Sequence, residues 1–302
     1  MKLVTFQGAK GPRAGVRLDD GRYLCLATAA QKAGATLDAS SLLAIIQAGP
    51  AALDVVKTLV ARAGEFPEAV VAADAVKLRA PILKPERNVF CVGLNYVDHV
   101  AEGHRARKTE MKLPEVPTFF TKANNTINDP DGDVRLDPKL TSLMDYEIEL
   151  ALVIGKAGRD IPAAKAFEHV FGYTIANDVT DRVLQRKHLQ WFKGKSLDTT
   201  LPIGPWIVTA DEAGDPETME LTLTVNGQQR QNAKGSQMIF DIPTIIESLS
   251  AGMTLEAGDI IITGTPQGVG FAMDPPQGLH DGDVVVCTIT RIGTLTNTIR
   301  EV

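Results

Sequence analysis

Cysteine is scarce. Cys25, Cys91 and Cys287 are the three in 302 residues, far apart and never in a CxxC pair. That spacing excludes a disulfide framework and reads as three free thiols among apolar neighbours, in a reducing compartment. Histidine is dispersed too, at positions 99, 104, 169, 188 and 280, so no His/Cys group has zinc-ligand spacing. No GxSxG occurs, which excludes the nucleophile elbow of serine hydrolases. No run approaches the ~20 apolar residues of a membrane helix. Residues 1–7 lack an apolar stretch of signal-peptide length. Basic runs are short: the net charge is −6 and the longest basic cluster spans residues 104–108, which argues against a nucleic-acid partner. These absences point to a cytoplasmic protein that binds neither membrane nor nucleic acid.

What is present is an ordinary globular composition, 44% hydrophobic and 23% charged, in a chain long enough to bury a large core. Residues 1–77 read as a small N-terminal α/β unit. Residues 3–6, 15–18 and 22–26 have strand composition, with Asp19-Asp20-Gly21 as a turn, and residues 40–47 and 51–63 are Ala/Leu-rich helical stretches. Pro81 and Pro85 punctuate a linker-like segment. Residues 78–302 are mainly short strands bounded by Gly, Pro, Asn or Asp. One clear helix begins at Asp241, a candidate N-cap, with Pro243 in its first turn and Gly252 past its end. There is no regular βαβ alternation, so the fold class is α+β rather than a Rossmann sheet.

The chemistry-bearing pattern is in residues 144–154, which alternate strictly. Side chains alternate faces along a strand, so Tyr146, Ile148, Leu150, Leu152 and Ile154 share one face and Asp145, Glu147, Glu149, Ala151 and Val153 the other. A solvated outer face would also carry such a pair of glutamates. The apolar Ala151 and Val153 that follow them mark instead a face entering the interior, where carboxylates need a cation. Asp178 follows the apolar strand candidate 173–176. Three carboxylates suit a hard octahedral ion such as Mg²⁺ or Mn²⁺, although no spacing rule brings these three together. His99 and Glu102 would share one face of a helix, an arrangement that activates water in a site and forms an ion pair on a surface. Lys195 lies in a Gly-Lys-Ser that is not a P-loop, because position 189 is Leu where Gly is required. Residues 263–270 are either a turn or a loop whose amides hold a substrate carboxylate.

Five segments then occur in order: Gly93-Leu94-Asn95-Tyr96-Val97-Asp98-His99, Asp145-Tyr146-Glu147-Ile148-Glu149-Leu150, Asn177-Asp178-Val179-Thr180-Asp181-Arg182, Lys193-Gly194-Lys195-Ser196 and Ile262-Thr263-Gly264-Thr265-Pro266-Gln267-Gly268-Val269-Gly270. In this order the chain resembles the fumarylacetoacetate hydrolase family from about Asn88 onward. The resemblance implies a mixed β-roll catalytic domain over 78–302, in a homodimer. It implies one divalent cation on Glu147, Glu149 and Asp178, a catalytic group of His99, Glu102 and Lys195, and substrate contacts from Arg182, Gln185, Lys122 and Thr265. The implied reaction is hydrolysis of a C–C bond in a small β-diketo acid, a 2-oxo acid. Oxaloacetate decarboxylation or tautomerisation, or dienedioate isomerisation, is the alternative through the same enolate. Residues 99–116 are expected to be a mobile lid carrying His99, hinged at Gly93 and Gly103.

Overall fold

A computed structural model describes all of residues 1–302. Its spine is a twelve-stranded sheet. At its centre strand Ile148–Ile154 lies between Val170–Asn177 and Ile260–Ile262, both antiparallel to it. Every residue of Ile148–Ile154 is buried, because both faces are covered. Tyr146, Ile148, Leu150, Leu152 and Ile154 enter a 34-residue apolar cluster, and Ala151 and Val153 enter a second cluster of 13. The alternation read from the sequence is therefore the division between two cores, with the glutamates at the strand's beginning.

Beyond Ile260–Ile262 the sheet continues through Val89–Gly93 to Thr118–Lys122. On the other side Val170–Asn177 pairs with Leu201–Thr209, which pairs with Lys2–Gly8. Strands Gly11–Arg17, Tyr23–Cys25 and Val70–Val71 follow. The N-terminal residues have their own 14-residue core between Leu3 and Ala69, and also extend the central sheet through the pairs Lys2↔Val208 and Leu3↔Ile207. A separate five-stranded sheet packs on the large core, in the order Gln228–Lys234, Glu220–Val225, Val284–Ile289, Gly293–Glu301, Val134–Leu136. The molecule is thus mixed α/β and sheet-rich.

Helix Ile242–Ser250 starts as its sequence dictates: the Asp241 side chain accepts the Thr244 amide at 2.8 Å and Gly252 takes a positive φ beyond the end. Helices Leu42–Gln47 and Pro50–Ala61 occupy the two Ala/Leu-rich stretches. Helix Leu26–Ala33 has no side-chain cap at Cys25 and so carries no start signal. Strand Gln228–Lys234 is QQRQNAK, with no apolar alternation to mark it. All three cysteines are buried and free.

Candidate active site

Two neighbouring strands set the centre of the site. Ile148 pairs with Asn177 and Glu149 with Ala176. Just beyond the ladder, the Asp178 amide donates to the Glu147 carbonyl at 2.8 Å, and the Glu147 amide donates to Asn177 Oδ1 at 3.0 Å. The backbone therefore brings Glu147, Glu149 and Asp178 together. One carboxylate oxygen from each lies within 4.8 Å of the others, and all three residues are buried.

Buried carboxylates this close repel unless cations intervene. Lys195 Nζ donates to Glu147 Oε2 and to Asp178 Oδ2, both at 2.6 Å. Lys122 Nζ lies 2.7 Å from Asp178 Oδ1 and donates to the Val179 carbonyl. Arg182 Nη2 reaches Glu147 Oε1 at 2.5 Å. Burial alone would raise the Glu147 carboxyl, but Lys195, Arg182 and His99 outweigh it and hold it at about 2. Glu149 has no such cation and accepts only the Gly264 amide, at 2.6 Å. Burial, then Asp178 and Glu147, push its carboxyl well above the usual range.

The local charge shows what is missing. Lys122, Arg182 and Lys195 pair with Asp145, Glu147 and Asp178, so Glu149 alone of the triad has no cation within ion-pair distance. A divalent cation among the three carboxylates would supply that partner. An all-oxygen donor set fits a hard cation.

These groups open on a cavity of about 620 Å³. His99, Glu147, Glu149, Arg182, Gln185, Lys195 and Thr265 line it, with Phe120, Trp191 and Phe271 among the apolar walls. Glu102, Lys122 and Asp178 stand behind the lining and touch it through partners. His99 lies in helix Val97–Arg107, and its Nδ1 is 2.8 Å from Glu102 Oε1. A carboxylate there holds the proton on Nδ1 and leaves Nε2 basic. Gln185 Oε1 accepts from Arg182 Nη1 at 3.2 Å. The Thr265 hydroxyl is spent on structure, donating to the Ile148 carbonyl and accepting from Gln231 Nε2, both at 2.9 Å.

Four amides in and just after the glycine-rich loop are engaged by the protein's own carboxylates. Gly264 donates to Glu149, Gly268 to Glu102 Oε2 at 2.8 Å, and Gly270 and Phe271 to Asp145 at 2.8 and 3.1 Å. The loop orients the site's own acids. One expectation needs correction: Gly103 is no hinge, being buried inside helix Val97–Arg107, which continues four residues past it. The irregular part of the expected lid is residues 108–116, exposed apart from a partly buried Pro114.

Three residues had no assigned role. Asp145 accepts Arg182 Nε at 2.9 Å and Nη2 at 2.8 Å. Gln231 ties the Ile148 amide to Thr265 and to the Pro266 carbonyl. Asn95 links the Thr263 carbonyl to the Phe240 backbone. Asp145 lies on the acidic face and Asn95 in the segment leading to His99; Gln231 carries no signal.

Fold and site together define a mixed α/β enzyme scaffold with a cation-ready carboxylate triad beside a His–Glu pair. The family model described as Fumarylacetoacetate (FAA) hydrolase C-terminal matches residues 88–300, and the chain belongs to the fumarylacetoacetate hydrolase family. It is 51% identical over 224 residues to oxaloacetate tautomerase YisK of Bacillus subtilis, covering 74% of this chain and 73% of that one. It is 36% identical over 304 residues to the mitochondrial oxaloacetate tautomerase fahd2 of Xenopus laevis, covering 98% and 89%. Among solved structures, the fumarylacetoacetate hydrolase of the psychrophile Exiguobacterium antarcticum aligns over the whole of both chains with a TM-score of 0.80 and 40% identity.

Proposed function

We propose that this protein interconverts the keto and enol forms of a small 2-oxo acid by proton transfer next to the carbonyl. One observation carries the reading: the His99–Glu102 pair opens on the same cavity as the carboxylate triad. Mg²⁺ or Mn²⁺ held by Glu147, Glu149 and Asp178 would supply a Lewis acid for the 2-oxo carboxylate end of the substrate. His99 Nε2, oriented by Glu102 through Nδ1, takes the proton from the carbon beside the carbonyl and returns it to oxygen. Lys195 and Arg182 offset the negative charge that grows on the oxygen. Gln185 fixes the pose of Arg182, and Lys122 pairs with Asp178 from behind. Thr265 shapes the wall. The names of the two tautomerase relatives support this reading over hydrolysis.

Hydrolysis of a β-diketo acid is the second reading, favoured by the alignment with a fumarylacetoacetate hydrolase. There His99 would deprotonate a water that attacks the distal carbonyl. The purified protein with Mg²⁺ or Mn²⁺ decides between them. Enol absorbance of oxaloacetate should relax many times faster than without protein, while acylpyruvates and diketo sugar acids stay intact. Cleavage of a diketo acid with no effect on oxaloacetate would replace the first reading by the second.

We further propose a division into an N-terminal unit, 1–77, and a catalytic unit, 78–302, the latter forming a homodimer. A strict monomer in sedimentation at micromolar concentration would remove the dimer. No helix is long and apolar enough to cross a membrane. A cytoplasmic site of action rests on the three buried free thiols.

A further inference from the structure

Two arginines at the cavity mouth are not used by the reaction above. Arg107 ends helix Val97–Arg107, and Arg186 lies in helix Arg182–Lys187. Both line the cavity. Both guanidinium carbons approach the Phe271 ring, at 6.0 and 5.9 Å from its centre, while Arg182 stacks on that ring at 4.4 Å. Arg182 has Asp145 and Glu147 as partners. Arg107 and Arg186 have no ion pair and no side-chain hydrogen bond, although most of the buried charge a few ångströms away is paired.

The chain also gives Arg107 its place. Gly103 lies one turn before it, buried in mid-helix, where glycine costs roughly 1 kcal/mol relative to alanine. A Cβ at Gly103 would stand 2.9 Å from Arg107 Nη2. The missing side chain is the space into which the guanidinium folds back over the cavity.

We propose that Arg107 and Arg186 clamp a second carboxylate at the far end of the substrate, so that the site selects dicarboxylic 2-oxo acids over 2-oxo acids with neutral tails. The triad end takes the 2-oxo carboxylate, and Arg182 with Phe271 stands between the two ends. Two like charges converging on one ring repel each other, and a carboxylate between them relieves that repulsion as it binds. A neutral tail leaves it in place. The inference rests on the 2-oxo acid reading for the near end of the ligand, and adds the residues that read the far end.

The test is calorimetric binding to the Mn²⁺-loaded protein, using two acids of equal chain length, 2-oxoglutarate and 2-oxopentanoate. The wild type should bind 2-oxoglutarate at least about tenfold more tightly, the equivalent of two partly exposed charge pairs. The preference should weaken with added salt. In Arg107→Gln/Arg186→Gln it should fall to about twofold or less, with the loss confined to the dicarboxylate; a thermal melt of the variant reports folding. Arg186→Gln alone should lose part of the preference, and serves if the double variant does not fold. Equal wild-type affinities, or a preference that survives the substitutions, would overturn the clamp. A separate turnover assay keeps the two ideas apart. A protein with the preference but no reaction on any 2-oxo acid loses the proposed reaction and keeps the clamp. One that reacts without the preference loses the clamp and keeps the reaction.

Discussion

Asp145 grips Arg182 from behind, taking Nε at 2.9 Å and Nη2 at 2.8 Å on the same oxygen, Oδ2. Its carboxylate does not line the cavity, yet it also accepts the amides of Gly270 and Phe271. Removing one partner of a buried pair leaves the other charge stranded, at about 3–5 kcal/mol. Asp145→Asn should therefore lower the denaturation midpoint by roughly that free energy. It should also raise KM for a 2-oxo acid, because Arg182 is then held only by Glu147 and the weaker Gln185 contact. A midpoint within experimental error of wild type would show that the pair is not structural.

Glu149 is the acid without a cation. Glu149→Gln removes a ligand and also the charge that burial, Asp178 and Glu147 disfavour. Mn²⁺ affinity should fall by about 100-fold, while the metal-free variant should be at least as stable as wild type near neutral pH. Calorimetry and thermal melts in chelator measure the two effects. A destabilised metal-free variant would mean that Glu149 is satisfied without metal.

The two glutamates give opposite pH limbs. Glu147, held at about 2 against an ordinary 4.5, stabilises the fold above 4.5 and loses that contribution as pH falls toward its folded value. Glu149, raised well above 4.5, contributes fully below 4.5 and progressively less as pH rises through its folded value. In chelator, Tm should decline on both the acid and the alkaline side. With saturating Mn²⁺ the alkaline decline should be much reduced, since a cation favours the ionised form, and metal affinity should rise with pH as binding expels the Glu149 proton. A metal-free Tm that does not fall above about pH 5 would contradict the raised Glu149.

His99→Ala should lower kcat by ~10²–10⁴ and leave Mn²⁺ affinity near wild type, because His99 is not among the triad. Residues 108–113 are exposed and irregular, so limited proteolysis should cut there first, and a bound 2-oxo acid should slow the cut. Full activity in the alanine variant would place the base elsewhere.

The parts of the site that were legible in the sequence are local. Glu147 and Glu149 declare themselves because a strand's period is two, and Asp178 because an apolar strand ends just before it. The first turn of helix Ile242–Ser250 is legible from Asp241 and Pro243. The rest depends on long-range contacts. Asp145 meets a guanidinium 37 residues later, and Gln231 meets Ile148 across 83, in a polar strand without pattern. Gly103 looks like a hinge because glycine is flexible alone; only the packed helix reveals that it makes room. In the glycine-rich loop the amides of Gly264, Gly268 and Gly270 go to acids 115 to 166 positions away, pairings that no local pattern shows.

Because Glu149 sits inside the ladder and Glu147 and Asp178 sit one step past its end, ligand spacing is a matter of strand register. A one-residue slip exchanges the faces of a strand, so an insertion between Asp145 and Ile148 that carries through the strand would turn Glu149 toward the apolar cluster and offer Ile148 in its place. At the other end of the same ladder the pairing is already irregular, between Val153 and Ile154, before the chain loops through residues 155–169. Length changes can accumulate in that loop without moving an oxygen of the triad. The two ends of one strand therefore differ in how freely descendants of this sequence can vary: the first admits substitution only, the second admits growth.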